Sequence, residues 1–60
     1  FLGKEGKAIT MLRPAGIGQF DGVRLDVVTK GAYIEENSKI KITEVVGRRI
    51  VVELIENKED

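Results

Sequence analysis

The chain has 60 residues, ten basic side chains against ten acidic ones, and neither cysteine nor histidine. That length allows one domain with a modest core, since a chain of about 60 residues buries only about 60% of its unfolded surface. Balanced charge argues against a long-range field that would steer a polyanion, and the missing side chains exclude disulfides and the commonest zinc ligands.

At 42% hydrophobic and 33% charged residues the composition is that of a soluble globular domain. No apolar run approaches the roughly 20 residues of a membrane-crossing helix, and no signal peptide is recognisable. A start at Phe1 rather than Met reads as a fragment of a longer protein or a processed chain.

No window holds apolar residues at i, i+3, i+4 and i+7, whereas several short runs are β-branched and alternate, which predicts an all-β chain. The first strand is expected over Gly6 to Leu12, with Ile9 and Met11 on one face and Ala8, Thr10 and Leu12 on the other. Pro14 has no N–H for a ladder, so it ends that strand or sits in the connection.

A second strand, Gly16 to Phe20, meets a third, Val23 to Thr29, across Asp21-Gly22. A two-residue Asp-Gly loop is a strong hairpin signal, because both positions tolerate positive φ. It pairs Phe20 with Val23, Gln19 with Arg24, Gly18 with Leu25, Ile17 with Asp26 and Gly16 with Val27. Phe20, Val23, Leu25 and Val27 then share a core face with Gly16 and Gly18, which allow tight curvature around a narrow interior. Ile17, Gln19, Arg24 and Asp26 share the outer face. A slip of one residue would expose the whole apolar set, so the register is tightly specified.

"GAYIEENS", Gly31 to Ser38, reads as a turn-rich connection with Ile34 plugging inward and Asn37 suited to a left-handed position. The fourth strand begins at Lys39 with Ile40 and Ile42 inward, and the fifth, Arg49 to Ile55, offers Ile50, Val52 and Leu54. A two-residue Gly47-Arg48 turn pairs Val45 with Ile50 but sets Ile42 against Glu53. A β-bulge at Thr43-Glu44 repairs this, restoring Ile42 opposite Val52 and Ile40 opposite Leu54; an odd-length loop is the other repair. The ordered core is expected over about residues 5–56, with 57–60 a frayed, charged tail. Five short strands without a helix suit a small barrel better than a sandwich.

The chemistry-bearing residues are few. "GIG" at Gly16 to Gly18 lacks the following helix that a phosphate loop requires. Ser38 and Lys39 are adjacent on a strand start, hence on opposite faces and poorly placed for a dyad. Glu35, Glu36 and Asn37 lack the spaced oxygens of a calcium loop. No enzyme activity, metal or cofactor is expected. Phe1, Phe20 and Tyr33 are the aromatics, and Arg13, Arg24, Arg48 and Arg49 are scattered, which gives little support to base stacking in a basic groove. The outer face at Ile17, Gln19, Arg24 and Asp26 remains as a candidate protein contact, although a single exposed isoleucine is also ordinary.

From Gly3 to Glu53 the chain resembles the C-terminal soluble domain of the NfeD (nodulation formation efficiency D) family. The resemblance is carried by Gly6, "LRPAG" at Leu12 to Gly16, "DG" at Asp21-Gly22, "LDVV" at Leu25 to Val28, Ile34, and the Ile40, Ile42, Val45, Gly47, Ile50, Val52 ladder. Asn37 stands near a position where the family commonly has glycine, and either residue serves a left-handed turn. The resemblance implies a five-stranded OB-fold barrel and a soluble domain tethered to a membrane through other parts of a parent protein. In long forms that parent carries a ClpP-class serine protease domain. It further implies a noncatalytic interaction or assembly role with stomatin- or flotillin-like partners, and no family catalytic residue falls on these positions. A single-stranded nucleic-acid-binding barrel is the alternative.

Overall fold

The computed structural model describes residues 2–55. Phe1, Glu56 and the expected tail at 57–60 lie outside the described residues. Five strands, β1 (Glu5–Ala8), β2 (Ala15–Phe20), β3 (Val23–Val28), β4 (Lys39–Val46) and β5 (Arg49–Leu54), form a closed barrel in the order β1-β2-β3-β5-β4. All neighbours are antiparallel except β3 and β5, which meet in parallel at Val28 and Val51. This is a small, helix-free OB-like barrel.

The β2–β3 hairpin has the register that the Asp21-Gly22 loop dictates, from Phe20 opposite Val23 to Gly16 opposite Val27. Asp21 and Gly22 adopt φ of 54° and 80°, the pair of positive values of a type I′ turn, whose twist matches that of the flanking strands. The β4–β5 hairpin carries its bulge between Ile42 and Glu44, so that Ile42 faces Val52 and Ile40 faces Leu54. Gly47 alone is positive in its turn, at φ 59°, as in type II′.

The interior is filled by Ala8, Leu12, Phe20, Val27, Ile34, Ile40, Ile42 and Val52, with Leu25 and Ile50 packed against them. Full burial of such side chains contributes about 1.5–3 kcal/mol each. The buried Phe20 ring approaches Gly6 and Gly18 so closely that a Cβ on Gly6 would collide with the ring and with the Gln19 carbonyl oxygen. Two strands thus come close enough to close the barrel only because those positions have no side chain.

Three expectations are corrected. The first strand ends at Ala8 rather than running on to Leu12. The amides of Ile9 and Thr10 both donate to the Ile17 carbonyl, at 2.8 and 3.4 Å, two residues against one as in a β-bulge, which breaks the alternation. Thr10 and Met11 face solvent, while Leu12 is buried and bridges Ile34 outside any strand. Val23 and Leu54, expected inward, are 49% and 50% exposed. Val23 stands at the hairpin end, and β3 meets β5 only at Val51, so neither residue is covered. Val51 is instead buried, beside Thr29 and Glu44 on the outer side.

Ile34 is 2% exposed and seals one end of the barrel. Its amide and carbonyl both bond Leu12, at 3.1 and 2.8 Å. Asn37, at φ 72°, turns the chain so that its amide donates to the Ala8 carbonyl at 2.7 Å, and β4 then continues beside β1.

Candidate partner-contact face

The β2–β3 register sets Ile17 opposite Asp26 and Gln19 opposite Arg24. Side chains two apart on a strand share a face, so all four stand on the outer side of the hairpin. Ile17 and Gln19, on the inner strand of the meander, are half-buried, whereas Arg24 and Asp26 are exposed. Thr10 reinforces this region by accepting the Ile17 amide on Oγ1 at 3.1 Å.

The four residues do not form one pocket. Ile17 and Asp26 border an open groove of about 390 Å³ whose far wall is Arg48, Arg49 and Ile50 at the β4–β5 turn. Gln19 belongs to a second groove of about 520 Å³, shared with Lys7, Ile9, Lys39 and Ile55. The lysines and Ile9 escaped the sequence reading, because they meet only through the long-range pairing of β1 with β4; no local turn announces that pairing.

Among the turn residues, Pro14 is exposed in the β1–β2 connection, where its carbonyl accepts the Thr29 amide at 2.9 Å. Gly16 and Gly18 lie on β2, Gly31 in the β3–β4 connection at φ 99°. Of the arginines, Arg13 lies in the β1–β2 connection and donates from Nε to the Met11 sulfur at 3.2 Å. Among the described residues no aromatic side chain borders either groove: Phe20 is buried and Tyr33 sits exposed on the β3–β4 connection. No group of three or more acidic side chains is arranged to hold a metal ion among the described residues, and none of the described strands replaces the absent helix of a phosphate loop.

Residues 1–53 match the family described as the NfeD-like C-terminal, partner-binding domain. The chain belongs to this NfeD-like family. It is 47% identical over 51 residues to the membrane protein NfeD1b of Bacillus subtilis (strain 168), a match that covers 85% of this chain and 12% of that relative. The NfeD-like chain thus spans about an eighth of the relative's length. Its barrel superposes with a TM-score of 0.85 on the C-terminal domain of stomatin operon partner protein 1510-C from Pyrococcus horikoshii, covering 93% of this chain and 89% of that one at 21% identity. At that identity the likeness speaks to the fold. The family is one of partner-binding domains, and a protein-interaction role is therefore assigned to this NfeD-like chain.

Proposed function

We propose that this domain is the docking module of a membrane-anchored NfeD-type protein, and that it engages a stomatin- or flotillin-like membrane protein through the outer face of β2 and β3. The observation that supports this face is its composition. The register gathers a half-buried isoleucine, an amide, a cation and an anion on one surface, and such a mixture suits specific protein contact. The membrane relative and the stomatin operon partner, each so described, support the setting. The parent chain supplies the anchor and, in long forms, a protease domain.

The test is affinity for a stomatin-like protein after Ile17→Asp combined with Arg24→Ala. A loss of about tenfold or more with an unchanged circular dichroism spectrum is expected, and unaltered affinity rejects the face. A second reading, binding of single-stranded nucleic acid, is favoured by one observation: Arg48 and Arg49 flank the β2–β3 surface, where OB barrels hold oligonucleotides. The lack of an aromatic platform among the described residues opposes it. Titration with short single-stranded DNA at physiological salt separates the readings, since saturable shifts confined to the Arg48 groove would favour the second.

A further inference from the structure

The outer surface of the barrel can be followed row by row across the strands. One row runs from Arg24 on β3 to Gln19 on β2, Lys7 on β1 and Lys39 on β4, each directly opposite the next. It ends at Ile55, whose amide donates to the Lys39 carbonyl at 2.9 Å. Three cations and two neutral residues make up this row, with no carboxylate. The adjoining row is Glu5, Lys41 and Glu53, alternating in sign. Asp21, nearby, is ion-paired to Lys4.

Lys7 and Lys39 are the unusual pair. The Ala8 amide bonds the Ser38 carbonyl at 2.9 Å and the Ile42 amide bonds the Lys4 carbonyl at 2.8 Å, so ladder bonds fall on the even-numbered positions of β1. Lys7 and Lys39 therefore form a non-hydrogen-bonded pair, in which Cα atoms stand about 4.5 Å apart and side chains are closest. Like charges directly opposite are destabilising. Local conflicts of this kind concentrate where function requires them. Neither lysine has an ion-pair partner among the described residues, and both line the 520 Å³ groove with Ile9 and Ile55; its two carboxylates are Asp21, already paired to Lys4, and Glu5, which stands directly opposite Lys41 in the adjoining row.

We infer that this groove receives an acidic segment of the partner protein, laid across the strands, with one carboxylate between Lys7 and Lys39 and another reaching toward Arg24. The inference rests on the protein-partner reading and names the partner's chemistry. Strands are about 4.8 Å apart, so Arg24 and Lys7 are separated by two such spacings, roughly 9–10 Å. Carboxylates two residues apart on an extended segment, roughly 6.6 Å along the backbone, point to the same side and reach both sites, while the side chain between them points away. An anionic membrane or a nucleic-acid backbone fits less well, because its evenly spread charge would also meet Glu5 and Glu53 in the next row.

The test is an amide-resolved NMR titration of the 60-residue chain with the peptide acetyl-GELEG-amide and its counterpart acetyl-GQLQG-amide. Saturable shifts at Lys7, Ile9, Gln19, Lys39 and Ile55 are expected with the first peptide only, weakening as salt rises. Lys39→Glu should lower the affinity about fivefold while raising Tm by about 3 °C, since it replaces a repulsive pair with an attractive one. Equal binding of both peptides, shifts centred on Arg48, an affinity indifferent to Lys39→Glu, or a Tm that does not rise would overturn the inference. The same shift pattern from phosphatidylserine vesicles, without one from the peptide, would also overturn it in favour of a membrane surface. A stomatin-like partner lost by Ile17→Asp but indifferent to Lys7→Glu and Lys39→Glu overturns the acidic segment alone. The converse result overturns the β2–β3 face alone.

Discussion

The hairpin of β2 and β3 takes its shape from Asp21 and Gly22 at its own tip, whereas β1, its neighbour in the barrel, takes its shape from residues distant in sequence. Both positive φ values of the turn sit within two residues, and every pairing from Phe20–Val23 to Gly16–Val27 follows from them. β1 instead stops at Ala8 because the Ile17 carbonyl draws two successive amides, and it packs against the Phe20 ring because Gly6 has no side chain to collide with it. Where the turn is local, one substitution perturbs it mildly. Where the fit is between distant strands, one substitution forces the barrel open.

The sharpest break should come at Gly6. A side chain there meets the Gln19 backbone oxygen, which cannot rotate away, so Gly6→Val should cost about 3 kcal/mol or more. A chain of this size holds roughly 3–9 kcal/mol in all, and the expected result in urea is a largely unfolded baseline. Leu12→Ala comes next, removing a fully buried side chain that packs over the bulge, at about 2–5 kcal/mol; denaturant midpoints report it. Gly22→Ala forces a Cβ into φ 80° with open space around it, so only conformational strain of about 1–2 kcal/mol is expected. If Gly22→Ala proves more damaging than Leu12→Ala, the contrast between local and distant determination is wrong. Arg24→Ala, on the exposed face, should change stability by less than about 0.5 kcal/mol while still weakening partner binding, which an affinity measurement alongside the melt would separate.

The same contrast explains what the sequence makes legible. The hairpin register is readable from "FDG" because a two-residue loop permits one alignment, and a parity break between β4 and β5 is readable because Ile42 must meet Val52; of the two repairs open to the sequence, the bulge beside Thr43 is the one the structure uses. The early end of β1 is not readable. Ala8, Thr10 and Leu12 alternate as a strand should, and the Ile17 carbonyl that interrupts them belongs to another strand. Val23 and Leu54 fit the pattern of core residues, but burial depends on whether a neighbour extends over them, and the β3–β5 ladder is limited to the pair Val28 and Val51. On the candidate site, the shared face of Ile17, Gln19, Arg24 and Asp26 follows from the turn, whereas Lys7 facing Lys39 becomes visible only when the barrel closes.

Ile34 carries a consequence for how this domain can be lengthened. The segment between β3 and β4 is held at Leu12 on both backbone groups of Ile34 and again at Ala8 through Asn37, and the buried Ile34 side chain is the stopper of the barrel. Added residues there would pull the stopper out. The Asp21-Gly22 and Gly47-Arg48 tips have open space around their glycines, so epitope tags or fluorescent labels placed at those tips should leave the barrel shut, and of the two the Gly47-Arg48 tip stands farther from the lysine row.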